Sequence, residues 1–111
     1  MAFVPTAGAV TTDVQSPGNT AGARYNSTYD QFTIWDNLYE SDTYSMLQVT
    51  NVANGSSRTY SHAWTGSGSP SRTYALPSSW TSGQELRFFV CERSGFDGSA
   101  LGCSGTARAW V

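Results

Sequence analysis

The sequence contains no lysine, a single isoleucine and a single histidine, and these absences narrow the range of functions. All 6 basic residues are arginines, and 8 acidic residues bring the net charge to −2. A surface for nucleic acid or an anionic membrane needs a cluster of positive charge, which this composition does not provide. No apolar run approaches the roughly 18 residues of a transmembrane helix. We therefore expect partners that are neither nucleic acid nor membrane.

Catalytic motifs are also missing. The one histidine, His62, lies between aromatic residues in a strand-like stretch, and no G-x-S-x-G nucleophile motif occurs. Carboxylates are present, but a domain of 111 residues leaves little room for the substrate cleft of a two-carboxylate glycosidase. We predict that the protein is not an enzyme and uses no cofactor.

Helical periodicity is absent as well, and apolar residues instead recur at every second position, as in half-buried strands. This alternation occurs at Phe32 and Ile34, at Leu47 and Val49, and at Leu86, Phe88 and Val90. Short strands at roughly ten-residue spacing, separated by turn residues, are typical of a sandwich or small barrel. The sequence predicts one all-β domain, a single antiparallel Greek-key β-sandwich of about seven strands.

The first 23 residues differ from the rest because they hold many small side chains and few large apolar ones. One interpretation is an edge strand over Ala9–Val14. The other is an extended arm that adds a strand to a partner's sheet, with Val10 and Val14 entering pockets there. The sandwich itself is expected over residues 24–111.

Two cysteines, Cys91 and Cys103, flank a segment rich in Gly, Ser and Asp that reads as a hairpin loop. If the flanking runs pair antiparallel, the two sulfurs face each other and can form a disulfide. A metal or redox pair fits less well, because the chain has one histidine and no C-x-x-C spacing. The disulfide and the lysine-free composition lead us to expect a secreted bacterial protein, with a signal peptide removed ahead of Ala2–Ala9.

The segment LPSSWTSGQELRFFVCE, from Leu76 to Glu92, resembles the loop and penultimate strand of fibronectin type III and immunoglobulin-like domains. In that pattern a leucine precedes a Pro/Gly corner, and an alternating strand follows. Phe88 or Phe89 would be the aromatic residue of this strand, and Trp35 the family's early tryptophan. The resemblance implies a Greek-key sandwich and no activity.

Aromatic side chains outnumber the places available in so small a core, so some must be exposed. Exposed tyrosine and tryptophan with little charge favour either a protein interface or stacking on sugars. The primary prediction is a secreted, non-enzymatic binding or adaptor module that contacts another protein. The alternative is a carbohydrate-binding module that holds a polysaccharide on a strip of Tyr60, Trp64 and Trp80.

Two further hypotheses rest on loops. A protease inhibitor could present Thr65–Ser71, or Ser94–Gly102 tied by the disulfide. Four other residues, Asp36, Asn37, Glu40 and Asp42, are similar to the calcium loop of βγ-crystallin-type domains, since calcium prefers oxygen ligands. The alternative for that cluster is an ordinary polar turn.

Overall fold

A computed structural model describes residues 11–39, 42–65 and 68–111, which form two antiparallel sheets packed as a sandwich. The strands are β1 Thr11–Gln15, β2 Ala21–Asn26, β3 Gln31–Asp36, β4 Thr43–Asn51, β5 Ser57–His62, β6 Ser71–Ala75, β7 Glu85–Ser94, β8 Ala100–Cys103 and β9 Ala107–Trp110. One sheet has the order β1-β2-β3-β6 and the other β5-β4-β7, with β8 and β9 both paired to β7. The chain crosses between the sheets after β3, after β5 and after β6. The predicted all-β sandwich is confirmed.

The core lies between the sheets and is built from the alternating residues. Phe32 and Ile34 of β3 are fully buried, as are Leu47 of β4 and Phe88 of β7. The ring of Phe32 contacts that of Phe88 across the sandwich, with centroids 4.8 Å apart. Burying each such side chain stabilises the fold by roughly 1.5–3 kcal/mol.

The described residues form nine strands where about seven were predicted, and β2 is one of the two that the sequence did not reveal. Its inward residues Ala21 and Ala23 are too small to give a hydrophobic alternation, although both are fully buried. Gly22 faces the other side, where the indole of Trp35 on β3 covers it. Gly22 must be small because a Cβ there would overlap this indole.

The second additional strand arises because the predicted run Cys103–Val111 is interrupted. The Ser104 N–H donates to the Val90 carbonyl oxygen at 2.8 Å, and the Val90 N–H donates to the Ser104 hydroxyl at 3.0 Å. The serine side chain therefore replaces a backbone acceptor, and regular pairing resumes only at Ala107. The result is β8 and β9 on the same edge of β7.

The described part of the N-terminal segment begins with an edge strand, β1. β1 pairs with β2 along its whole length, and β2 runs across the predicted boundary at residue 23. Val14 is only 8% exposed and packs into this chain's own core, so the predicted insertion of Val14 into a partner is wrong. Its side chain points inward because β1 completes the first sheet. Val10 lies outside the described residues.

We expect Gly22→Ala to be destabilising, because its Cβ would overlap the Trp35 indole. Displacing a packed ring costs about 1–3 kcal/mol, which chemical denaturation would measure. Gly102→Ala is the matched control, since its Cβ would sit at an ordinary 3.5 Å from Pro17. A loss of stability no larger for Gly22→Ala than for the control would contradict the close packing of Trp35.

Candidate functional site

The first candidate surface is the loop between β7 and β8, which we call the hairpin tip and define as residues 94–99. Cys91 and Cys103 lie directly opposite each other at its base and form the predicted disulfide. Within the loop, the Ser94 N–H donates to the Ser99 carbonyl and the Gly98 N–H donates to the Ser94 carbonyl, both at 2.9 Å. Gly98 has φ 72°, a left-handed conformation that favours glycine.

Polar side chains fix the hairpin tip further. The Asp97 carboxylate accepts the Ser99 N–H at 2.9 Å, and the Arg93 guanidinium donates to the Gly98 carbonyl at 2.6 Å. The backbone N–H of Ser99 is the main reason that the pKa of Asp97 lies below its usual 3.8. The loop is therefore held by its own hydrogen bonds as well as by the disulfide.

Phe96 projects from this fixed loop. Its side chain is 86% exposed, the largest value among the large apolar residues of the described ranges. Leu101, on β8 of the same hairpin, is 60% exposed. A ring displayed on a fixed loop loses little conformational entropy when it enters a partner's pocket. Sequence reasoning missed Phe96, although a lone phenylalanine inside a Gly/Ser/Asp loop is a recognisable signal.

Of the two predicted inhibitor loops, the structure describes one completely and the other in part. Ser94–Gly102 contains the hairpin tip, with a turn at 95–97, and the first three residues of β8. Thr65–Ser71 includes residues 66 and 67, which lie outside the described residues. Protease inhibition stays a prediction.

The second candidate surface follows the open side of the sandwich between β5 and β6, and we call it the aromatic seam. It consists of Tyr39, Tyr60, His62, Trp64, Arg72 and Tyr74. The rings of Tyr60 and Tyr74 lie 4.9 Å apart between centroids and close the gap between the sheets. The Arg72 guanidinium lies 5.0 Å from the centre of the Tyr74 ring, a cation–π contact. Burial raises the pKa of Tyr60.

At the end of the seam, the rings of Tyr39 and Trp64 meet edge to face with centroids 5.1 Å apart. Asp36 holds this end together. Its buried carboxylate accepts the Leu38 N–H at 3.0 Å and the Trp64 N–H at 3.1 Å, so it joins the segments after β3 and β5. Trp64 thus takes a fixed position although it lies beyond the last residue of β5.

The predicted calcium residues take different positions. The Asp36 carboxylate accepts hydrogen bonds from two backbone N–H groups, and the Asn37 amide donates to the Asn19 carbonyl at 2.7 Å. Asp42 is exposed, with its backbone carbonyl accepting the Gly95 N–H, and Glu40 lies outside the described residues. Within the described ranges, no three His, Cys, Asp or Glu side chains come together as metal ligands. Calcium binding stays an untested hypothesis.

The predicted saccharide strip is only partly assembled. Tyr60 and Trp64 both belong to the aromatic seam, but Trp80 is 5% exposed and packs in the core. Its indole N–H donates to the Ser56 hydroxyl at 3.0 Å. The expectation that Trp80 offers a ring to a sugar is therefore wrong, because the segment after Pro77 folds back over the open end of the core.

A cleft of about 480 Å³ opens beside the seam, with Thr43, Tyr44, Ser61, His62, Arg72 and Gly95 among its lining residues. It combines a cation, an imidazole and hydroxyl groups. Arg72 was not among the predicted site residues, because its place at the start of a short strand says nothing about its neighbours across the sandwich.

Comparison with known proteins identifies no relative: no family model, curated protein or solved structure matches this chain. Across the described ranges, the structure contains no helix with the length and apolar character to span a membrane.

Removing the disulfide should loosen the hairpin tip and lower the stability of the whole domain. The cysteines are 12 residues apart, and closing a loop of this length contributes about 3 kcal/mol in the chain-entropy model. We expect this loss for Cys91→Ala combined with Cys103→Ala in urea unfolding, with faster amide exchange at Phe96. Unchanged exchange there would show that the hydrogen bonds alone fix the loop.

Acid should loosen the hairpin tip through Asp97. Because its pKa is lowered in the folded protein, the carboxylate contributes stability above its usual pKa of 3.8 and loses that contribution as the pH falls through the lower folded value. An NMR titration of the Ser99 amide should therefore show a midpoint below 3.8. Asp97→Asn keeps an acceptor oxygen and should abolish the titration. A midpoint at or above the usual value would contradict the hydrogen bond.

Proposed function

We propose that this protein is a secreted, non-enzymatic binding module that engages another protein through its hairpin tip, with Phe96 as the anchor. The observation that carries this proposal is the 86% exposure of the Phe96 ring on a loop fixed by a disulfide. Exposing so large an apolar side chain to water is unfavourable, and a partner's pocket would remove that cost.

The surroundings of Phe96 fit an interface of this type. Leu101, on β8 of the same hairpin, adds exposed apolar area, and Asp97 adds a charge next to Phe96 in the chain, where charges guide association and specificity. A few central aromatic residues commonly dominate the binding energy of a protein interface. Because the loop is already ordered, little of that energy would be spent in fixing its conformation.

The strand order supports the proposed likeness to immunoglobulin-like and fibronectin type III domains. Apart from the edge strand β1, one sheet contains β2, β3 and β6, and the other contains β5, β4 and β7 with β8 and β9. Sandwiches of this type carry their recognition loops at the ends of the strands, which is where the hairpin tip lies. The disulfide supports an oxidising compartment and thus the proposed secretion from a bacterial cell.

Binders selected from a random-peptide display library on the immobilised protein would test the hairpin tip. We expect Phe96→Ser to weaken their binding at least about 30-fold, the effect of losing an anchor worth 2 kcal/mol. Tyr29→Ser is the matched control, because Tyr29 is also highly exposed, at 68%, but lies in the turn between β2 and β3.

Cross-linking gives a second, independent readout. A photoreactive phenylalanine analogue at position 96 should cross-link to the selected peptides, whereas the same analogue at position 29 should not. Equal cross-linking at both positions, together with unchanged affinity of Phe96→Ser, would rule out the hairpin tip as the interface.

A further inference from the structure

The cleft beside the aromatic seam has the chemistry of a second binding site, which does not depend on the hairpin tip acting as a protein interface. Its most informative residue is Arg72. Three other arginines of the described chain, Arg24, Arg87 and Arg108, pair with carboxylates at 2.7–3.1 Å. No described carboxylate pairs with Arg72, which instead lies over the ring of Tyr74.

The contact with Tyr74 orients the guanidinium without neutralising it. The Tyr74 hydroxyl is itself fixed, since it donates to the Ser61 carbonyl at 2.7 Å. A planar guanidinium held in this way presents paired N–H donors that match the two oxygens of a carboxylate. The cation in the cleft therefore favours an anionic ligand, and a carboxylate fits its paired donors.

His62 adds a second hydrogen-bonding group to the cleft. Its Nε2 lies 2.7 Å from the Ser69 carbonyl oxygen, and because a carbonyl only accepts, Nε2 donates this hydrogen bond. The other ring nitrogen, Nδ1, is not used in this contact. Tyr44 and Ser61 contribute further lining, so the cleft suits a ligand with hydroxyl groups as well as a carboxylate.

The ring pair of Tyr39 and Trp64 continues the seam from His62. Tyr39 is 58% exposed, and its ring and that of Trp64 offer flat apolar surface of the kind on which sugar rings stack. A carboxylate, hydroxyl groups and an apolar ring face occur together in a uronic acid. We infer that this cleft and the adjoining seam bind the uronic-acid residues of an acidic polysaccharide.

Affinity electrophoresis in gels containing polygalacturonate would test this inference on the intact protein. We expect the wild type to be retarded, and Arg72→Gln to lose at least about 10-fold in affinity. Arg58→Gln is the matched control, because Arg58 is an exposed arginine of the adjacent β5 that also lacks a carboxylate partner in the described chain. Arg58→Gln should bind like the wild type, and equal loss in both variants would overturn the inference.

Four further measurements separate the alternatives. Neutral xylan binding as tightly as polygalacturonate would overturn the role of the carboxylate, and polyglutamate binding as tightly would overturn the sugar in favour of an acidic peptide. Arg72→Lys keeps the charge and should recover part of the affinity, provided that its melting temperature matches the wild type. Loss of peptide binding in Phe96→Ser with retained polygalacturonate binding would confirm that the two sites are separate.

Discussion

The pairing of β4 with β7 is the interaction on which the rest of the structure depends. Nine consecutive residue pairs join these strands, from Thr43–Ser94 to Asn51–Leu86. A slip of one residue would turn every core side chain of one strand to the outside, so the buried face fixes the register strongly. Since β7 also carries β8 and β9, this register determines where the disulfide and the hairpin tip lie.

Strands β4 and β7 could be predicted from the sequence because the alternation of apolar residues within each strand shows which face is buried. Alternation at Leu47 and Val49, and again along β7, marks a buried face without any knowledge of the partner strand. β2 was not predicted because its small residues give no hydrophobic alternation. The need for Gly22 becomes visible only in the structure, where the Trp35 indole on the next strand covers it. The burial of Trp80 escaped for a related reason, since a loop that folds over the core has no periodicity.

The candidate sites also combine residues that a local pattern predicts with residues that only tertiary contacts bring to the site. The spacing predicts Tyr60, His62 and Trp64 on one side of the chain, but it gives no sign of Arg72, which reaches Tyr60 only through Tyr74 of the other sheet. Asp36 belongs to the polar cluster whose sequence resembles a calcium loop. Here the carboxylate binds two backbone N–H groups and connects two segments, a structural role that depends on residues 28 positions apart. Local sequence cannot distinguish these uses of an acidic side chain.

The two proposed binding surfaces lie at the same end of the sandwich and share part of their framework. The Gly95 N–H donates to the Asp42 carbonyl at 2.6 Å, and Gly95 also lines the cleft beside the seam. A side chain at Gly98 would approach the Tyr44 hydroxyl, which places the hairpin tip against the wall of that cleft. The hydrogen bond between Gly95 and Asp42 therefore ties the hairpin tip to the start of β4, so the two surfaces share one framework.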